Sequence, residues 1–519
     1  MARINTNVPS LIAQANLERT GLELGTRLER LSTGLRINRG KDDPAGLIVS
    51  ERIATDIAGI EQGIRNSERA SSVIATTEAA LVEISDLLNT IKGLTVEAAN
   101  AGAISDEEIE ANQLQIDSAI QSITRISNTA SFGGLKLLDG SLDYITSGIN
   151  SSEIKTARVF SASFVGTNSL QVEVDVLASA QKGALYLNGD MPGSLTDGVL
   201  ASATTIRVAG PLGVNELSFA SGTSLASVVN SVNERSALTG VEAALINGDP
   251  TSGMIFRTTG YGADEFVSVD RLGGDQSAAW FTTYKFVDGT PLPDFTGGFP
   301  WAGIGTTLTS TNRDTGVDVQ ALINGSLANG DGLEVSLSSP SLSVELLLDE
   351  TFATDPTATP STFDITGGGA LFQLGQDINA LQQSNIGITS TSASFLGATL
   401  VNGTVEYLSS LQDGQSNSLR ASAARRDFSA ASRILDKAID DVSVLRGRLG
   451  AFERNVLETN TRSLQSQFEN LTASKSIIED ADFAAETSAL TRAQILQSSG
   501  TTVLTLANQQ AQNVLQLLG

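Results

Sequence analysis

Residues 435–456 read LDKAIDDVSVLRGRLGAFERNV. Within them Leu435, Ile439, Val442, Leu445, Leu449, Phe452 and Val456 follow one another at steps of 4-3-3-4-3-4. This is a narrow apolar seam of the heptad kind. It predicts a long helix packed on other helices rather than one seated in a broad core. Leu464, Phe468 and Leu471 continue the seam toward the C-terminus. A matching pattern lies in the N-terminal part of the chain. There Ile53, Ile57, Ile60 and Ile64 step 4-3-4, Leu81, Ile84, Leu88 and Ile91 step 3-4-3, and Ile116, Ile120 and Ile123 extend the stripe. Periodicity alone fits an intramolecular bundle and equally a subunit whose terminal helices zip onto neighbours.

Breakers separate these two arms from a different kind of sequence. No proline occurs between Pro44 and Pro192 or after Pro360, and both tryptophans, Trp280 and Trp301, lie in the middle. The arms carry helix punctuation. Asp43 followed by Pro44 is an N-cap with proline at the first helical position. Ser105 with Glu108 is a capping box that opens the next helix. The centre alternates instead. Leu170, Val172, Val174 and Val176 interleave with Gln171, Glu173 and Asp175, and 333–337 and 342–346 do the same around Pro340. These are strands with Gly, Asn and Asp turns between them, interrupted by a short helix over 224–232. The fold class expected is α+β and multidomain: a long antiparallel helical bundle or coiled coil formed by the N- and C-terminal arms, with an inserted β-rich central region. A chain lacking about Lys182 to Gly367 is expected to keep its helical arms.

Composition excludes much chemistry. The 519 residues include 33 Lys+Arg and 58 Asp+Glu, a formal charge of -25, with no Cys and no His. A surface this acidic repels nucleic acid and anionic lipid. Without Cys or His there is no disulfide framework, no thiol nucleophile, no Ser-His-Asp triad and no zinc protease motif. Gly367-Gly368-Gly369 and Gly273-Gly274 lack the Lys-Ser/Thr of a phosphate loop and read as turns. The acidic pairs Asp42-Asp43, Glu107-Glu108 and Asp440-Asp441 read as a cap and as solvated helix faces. No catalytic residue, cofactor site or metal site is expected, and no enzyme. Met1–Asn7 has no apolar core of a signal peptide, and no apolar run is long enough to insert in a membrane.

Both arms resemble bacterial flagellin, the subunit of the flagellar filament. The N-terminal arm has Leu31-Ser32-Thr33-Gly34-Leu35-Arg36-Ile37-Asn38, Lys41-Asp42-Asp43-Pro44-Ala45-Gly46, and Phe132-Gly133-Gly134-Leu135-Lys136-Leu137-Leu138-Asp139-Gly140. The C-terminal arm has Ile478-Glu479-Asp480-Ala481-Asp482-Phe483 and Thr491-Arg492-Ala493-Gln494-Ile495-Leu496-Gln497, and closes with Ala507-Asn508-Gln509-Gln510. The chain departs from the family pattern at Glu453-Arg454-Asn455 and at Ala511.

The resemblance implies a self-assembling subunit. Residues 1–43 and 474–519 would be terminal helices of an inner tube. Residues 44–177 and 370–473 would form a helical outer tube with a β-hairpin segment, and 178–369 a variable β-rich surface domain. The assembly interface implied comprises Leu31, Leu35, Ile37, Asp42, Asp43, Leu496, Val503, Leu504, Leu506, Val514, Leu515 and Leu518. The resemblance further implies an extracellular filament protein, exported through the type III apparatus without a cleaved signal peptide. Its partners would be copies of itself, an export chaperone, and the cap and hook-junction proteins, with no nucleic acid and no membrane insertion. Family members seen by the vertebrate Toll-like receptor for flagellin present an Arg where Thr90 stands, and Asn89, Thr90 and Gly93 differ from that pattern. Two alternatives remain: a hook–filament junction protein, and a filament subunit with an adhesive or glycan-binding outer domain in which Trp280, Phe281, Tyr284 and Trp301 would stack on sugar.

Overall fold

The computed structural model describes residues 6–100, 103–164, 169–190, 197–273, 280–287, 299–401 and 403–518, with side-chain surroundings up to Gln510 and at Gln512. Helix α1 (Val8–Thr33) starts at Asn7, whose side chain accepts from the Ser10 N–H, and ends at Gly34, left-handed at φ 77°. Helix α2 (Pro44–Ala98) is 55 residues long. Its first turn is capped as the sequence predicts, the Gly46 N–H donating to Asp43 Oδ1 at 2.9 Å. Helix α3 (Asp106–Thr129) has the full Ser105–Glu108 capping box. Then follow the shorter α4 (Leu225–Asn233), α5 (Ser236–Thr239), α6 (Glu350–Ala353) and α7 (Leu419–Arg425), and the C-terminal α8 (Ser429–Phe452), α9 (Glu458–Glu479) and α10 (Phe483–Leu518).

The buried stripe of α2 runs Ile60, Gly63, Ser67, Ala70, Ile74, Thr77, Leu81, Ile84, Leu88, Ile91, Thr95, Ala98. Steps of three and four alternate without a break, which is a coiled-coil period. The chain divides into two compact units, Met1–Ser71 with Gln373–Gln383 and Arg454–Gly519, and Ser72–Phe372 with Ser384–Glu453. In the first unit α2 meets α9 and the 373–383 loop across small residues. A Cβ on Gly63 would lie 2.9 Å from the Leu374 carbonyl oxygen and 3.1 Å from a Leu464 methyl. Asn460 Nδ2 donates to that same carbonyl at 2.9 Å and reaches Ser67 Oγ at 3.3 Å. A mid-helix glycine costs about 1 kcal/mol of helix propensity, and here the close approach requires it. In the second unit α2 and α8 run antiparallel, Glu78 pairing with Arg446 and Lys92 with Asp436.

One part of the C-terminal seam differs from its sequence reading. A π-turn, Glu453–Leu457, follows α8 and inserts an extra residue into the helical ladder. The buried positions therefore run Leu435, Val442, Leu445, Leu449 and then Leu457 and Leu464. Val456, expected on the seam, is only half-buried.

The β-rich centre is two bodies, each with its own core. The inner one pairs two sheets. One joins Tyr144–Ser147, Leu170–Ala178, Gln320–Ile323, Ser326–Leu327 and Ser361–Gly368, and the other Ile154–Ala162, Asn329–Asp331, Glu334–Ser338 and Leu342–Leu348. Val172, Val174, Ala321, Val335, Leu346 and Phe363 are among the residues buried between them. The outer body, within residues 184–315, packs a five-stranded sheet, a four-stranded sheet and α4 around Leu185, Val208, Val228, Phe256 and Val269. The chain enters and leaves the outer body side by side: Gln181 N–H donates to Val317 O at 2.8 Å and Val317 N–H to Gln181 O at 2.9 Å.

Strand Leu170–Ala178 pairs with Ser361–Gly368. The divisions expected at 177/178 and 369/370 thus separate paired strands of one sheet. Excision of Lys182–Gly367 would remove Ala321, Val335, Leu346, Phe363 and Ile365 from the inner core, so those limits do not bound a body with a core of its own. The separable piece is smaller. A chain in which residues 183–316 are replaced by a short Gly-Ser turn is expected to keep one cooperative unfolding transition for the inner body. Removal of 182–367 is expected to abolish it, since each buried aliphatic side chain contributes about 1.5–3 kcal/mol. Calorimetry of the two chains decides, and indistinguishable transitions would refute the assignment.

Candidate assembly interface

Helices α1 and α10 pair antiparallel. Asn7 Nδ2 donates to the Ala507 carbonyl at 3.1 Å, and Arg27 and Arg30 reach Glu486 at the other end. The stripe that α1 turns inward is Ser10, Ala13, Leu17, Thr20, Leu24, Arg27, Leu31; that of α10 is Glu486, Leu490, Ala493, Gln497, Gly500, Leu504, Ala507. Three of the seven on α10 are Ala or Gly, and a Cβ on Gly500 would lie 3.2 Å from a Leu17 methyl. The seam is correspondingly thin: only Ala13, Glu486 and Ala493 of these are fully buried among the described side chains.

The connection between α1 and α2 is held by backbone. Leu35 forms a β-bridge with Asp480. The Arg36 N–H donates to Glu479 O at 2.6 Å and the Ala481 N–H to Gly34 O at 2.9 Å. Asp42 Oδ2 accepts from the Asn38 and Arg39 N–H groups, at 3.2 and 2.9 Å. Ile37 is 2% exposed and lies against Gly46, where a Cβ would come within 2.8 Å of it. Asp42, Asp43 and Ile37 are thus occupied by the chain's own connection, while Leu31 and Leu35 are half-buried.

The outward faces of the pair carry exposed apolar side chains among polar ones. Val8, Leu11, Ile12, Leu22 and Leu28 are exposed on α1, and Ile495, Leu496, Val503 and Leu506 on α10. Of the sequence-derived positions, Leu496, Val503 and Leu506 lie on this outer face and Leu504 on the inner stripe; the side chains of Val514, Leu515 and Leu518 lie outside the described residues. The sequence reading missed the α1 positions. Their signal was a second apolar stripe offset from Ala13, Leu17 and Leu24. Asn89, Thr90 and Gly93 are exposed on α2, with the Thr90 hydroxyl bonded to Asp86 O and open space at Gly93. The aromatic residues of the outer body pack inward: Trp280 and Phe281 rest on its core, and Trp301 packs with Tyr186 and donates from Nε1 to Ser252 O at 3.0 Å. Among the described residues no acidic cluster is placed to hold a metal ion, and no helix is long and apolar enough to cross a membrane.

Glu486 is the one acidic side chain on the two inward stripes. Arg27 Nη1 donates to both of its oxygens at 2.9 Å and Arg30 Nη1 to one at 3.1 Å. Burial opposes its ionisation, but the two arginines outweigh it and hold its pKa below the ordinary glutamate value. A carboxylate with a depressed folded-state pKa stabilises above its unfolded pKa, and that contribution is lost as pH falls through the folded value. Glu486→Ala is expected to weaken the pairing by about 2 kcal/mol, the scale of a hydrogen bond to a charged group. At neutral pH, tryptic cleavage after Arg27 and Arg30 in the monomer should then accelerate by up to about thirtyfold. The difference between the two chains should shrink on acidification, once Glu486 protonates. Equal cleavage rates at neutral pH would show that Glu486 does not hold the helices together.

Comparison with known proteins identifies the chain's relatives. Residues 4–143 match the model of the bacterial flagellin N-terminal helical region, and residues 433–518 that of the C-terminal helical region. The B-type flagellin of Pseudomonas aeruginosa is 27% identical over a 563-residue alignment covering 99% of each chain. Among solved structures, flagellar hook associated protein-3 of Legionella pneumophila aligns with 82% of this chain and 97% of its own at 12% identity, with a TM-score of 0.30. The flagellin of Salmonella typhimurium is 31% identical over 546 aligned positions, again 99% of each chain. Two helical arms, matched at both ends and related along their whole length to such a protein, make this chain a member of the bacterial flagellin family and a structural subunit of the flagellar filament.

Proposed function

We propose that the α1–α10 pair is the innermost layer of the filament, that α2, α3, α8 and α9 form the layer around it, and that the two β bodies face outward. The observation that carries this reading is the apolar outer face of a helix pair whose own seam buries so little. Such a pair is marginal alone and gains its stability when neighbouring copies cover Leu11, Ile12, Leu22, Leu496, Val503 and Leu506. Val514, Leu515 and Leu518 extend the same interface. Leu31 and Leu35 contribute at its edge, and Ile37, Asp42 and Asp43 act indirectly by fixing the turn into α2. The chain works without catalysis, cofactor or nucleic acid. It leaves the cell without a cleaved signal, and it meets an export chaperone, the cap and the hook-junction proteins on its way into the filament.

Removing Thr501–Gly519 deletes the exposed Val503 and Leu506 and the apolar positions beyond them. Burial of each such side chain is worth about 1.5–3 kcal/mol, so the truncated chain is expected to remain monomeric while its inner β body and α8 melt as in the full chain. Electron microscopy and sedimentation read the outcome, and normal filaments would refute the interface.

A second reading concerns Thr90 and Gly93. Family members recognised by the vertebrate receptor carry an Arg at the position of Thr90, and loss of such an anchor costs about 2 kcal/mol, about thirtyfold in affinity. We infer that this chain is a poor agonist. Thr90→Arg with Gly93→Glu is expected to raise signalling in a reporter-cell assay, because both positions are exposed and Gly93 has room for a side chain. Full potency of the unmodified chain would overturn the inference.

A further inference from the structure

The loop 373–383 carries two of the most exposed large apolar side chains in the chain: Ile378 is 90% exposed and Leu381 89%. They are three residues apart, and the loop that presents them is tied down on every side. Asp377 N–H donates to Gln382 Oε1 at 2.7 Å, and Gln382 Nε2 donates back to Asp377 Oδ2 at 3.0 Å. Asn379 Oδ1 accepts from the Leu381 and Gln382 N–H groups at 3.1 and 3.0 Å. Gln373 Nε2 spans the base, donating to the Gly375 and Asp377 carbonyls at 3.1 and 2.8 Å. The loop is anchored to its own unit through the Asn66 amide on the Gln373 carbonyl, 3.1 Å, and the Asn460 amide on the Leu374 carbonyl, 2.9 Å. The amide side chains named here hold the backbone and Asp377 holds Gln382, and none restrains Ile378 or Leu381. A rigid loop that holds two aliphatic side chains in water has met its ordering cost before any partner arrives, which is the property of an interface anchor.

We propose that Ile378 and Leu381 dock against a second copy of this chain in the assembled filament. The inference rests on the filament reading above but concerns a surface outside the terminal helices. Two observations select a second copy as the occupant. First, this loop is the one segment from the chain's middle that belongs to the compact unit containing both terminal helices, so its contact is continuous with the body that polymerises. Second, the loop carries a single charged residue, Asp377, whose carboxylate is already bonded to Gln382. In a chain of net charge -25, a neutral apolar anchor lets two like-charged copies meet without burying an unpaired charge.

The absence of cysteine from the natural chain makes the test clean. Ile378→Cys, and Asn247→Cys on an exposed turn of the outer body as control, are reacted with a polar maleimide before and after polymerisation. The expected result is that the thiol introduced at position 378 reacts at least tenfold more slowly in filaments, while the control thiol at position 247 reacts alike in both states. A benzophenone maleimide attached to the Ile378→Cys chain should cross-link two copies in filaments and none in monomers. Ile378→Ser with Leu381→Ser is expected to leave the monomer's melting unchanged and to raise the critical concentration for polymerisation at least tenfold. An Ile378→Cys chain that folds but fails to polymerise supports the contact too, since position 378 is almost fully exposed in the monomer. Full reactivity of the position-378 thiol in filaments, or a double serine variant that polymerises like the parent, overturns the proposal. If the unmodified chain forms no filament at all, the filament reading itself fails, and that outcome is read before any variant is made.

Discussion

The two ends of the chain meet across a thin antiparallel seam, and the rest of the molecule is arranged so that they can. Asn7 lies against Ala507, Leu17 beside Gly500, and Arg27 and Arg30 on Glu486. Everything between Thr33 and Phe483 must leave this pair and return to it. Chain statistics make such a return inexpensive, since each doubling of a closed loop adds only about 0.6 kcal/mol of closure entropy. What has to be fixed is the place of return. The Leu35–Asp480 bridge fixes it at the helix pair, and the reciprocal Gln181–Val317 hydrogen bonds fix it again at the neck of the outer body. An insert that starts and ends at one bridge can change in size without moving the helices, which is why the outer body can carry a core of its own.

Local features were legible in the sequence because local forces decide them. The Asp43–Pro44 start, the Ser105–Glu108 capping box and the Ser224 cap of α4 each depend on a few neighbouring residues, and each stands where the pattern put it. The strands were legible as strands. Their partners were not, since a period of two says which side chains face inward but not which strand lies alongside. Leu170–Ala178 pairs with Gln320–Ile323 and Ser361–Gly368, across sequence separations that no spacing encodes, so the excision limits taken from composition fell in the wrong place. The π-turn escaped for a related reason. The stretch Glu453-Arg454-Asn455 marks where the chain leaves its family's pattern, but only packing determines that Leu457 rather than Val456 turns inward. The same limit hid Glu486, whose meaning comes from two arginines far earlier in the chain, 459 and 456 positions away.

Charge also ties the inner β body to the helix that supports it. Arg158, on strand Ile154–Ala162, makes a two-pronged bond to Asp441 of α8 and lies 3.5 Å from Glu345. Lys437 of α8 bonds Glu334 at 2.6 Å and Glu345 at 3.2 Å. Burial works against each of these cations, yet the neighbouring carboxylates more than offset it and raise the pKa values of both Arg158 and Lys437. Three strands of the inner body, Ile154–Ala162, Glu334–Ser338 and Leu342–Leu348, thus reach one helix through one network. Sliding of the sheet along α8 would separate all of these pairs at once and leave half-buried charges without partners, the costly case for interior ions, so this network resists sliding in a way that apolar contacts, being non-directional, do not.

The distribution of charge bears on which surfaces of two copies can meet. The whole molecule carries a formal charge of -25, enough to keep copies apart at low ionic strength. Helices α1 and α10 carry none of that excess. Helix α10 has one acid, Glu486, and one base, Arg492, in 36 residues. Helix α1 balances Glu18, Glu23 and Glu29 against Arg19, Arg27 and Arg30. The repulsion therefore originates in residues outside the terminal helices, and its range is set by the Debye length, about 8 Å at physiological salt. Apolar contact acts only at the touching surface and is insensitive to that screening. Two copies brought together along the terminal helices meet apolar faces with no local excess of charge. Because the net negative charge lies outside α1 and α10, apolar contact along these two helices meets less repulsion than contact made elsewhere on the chain.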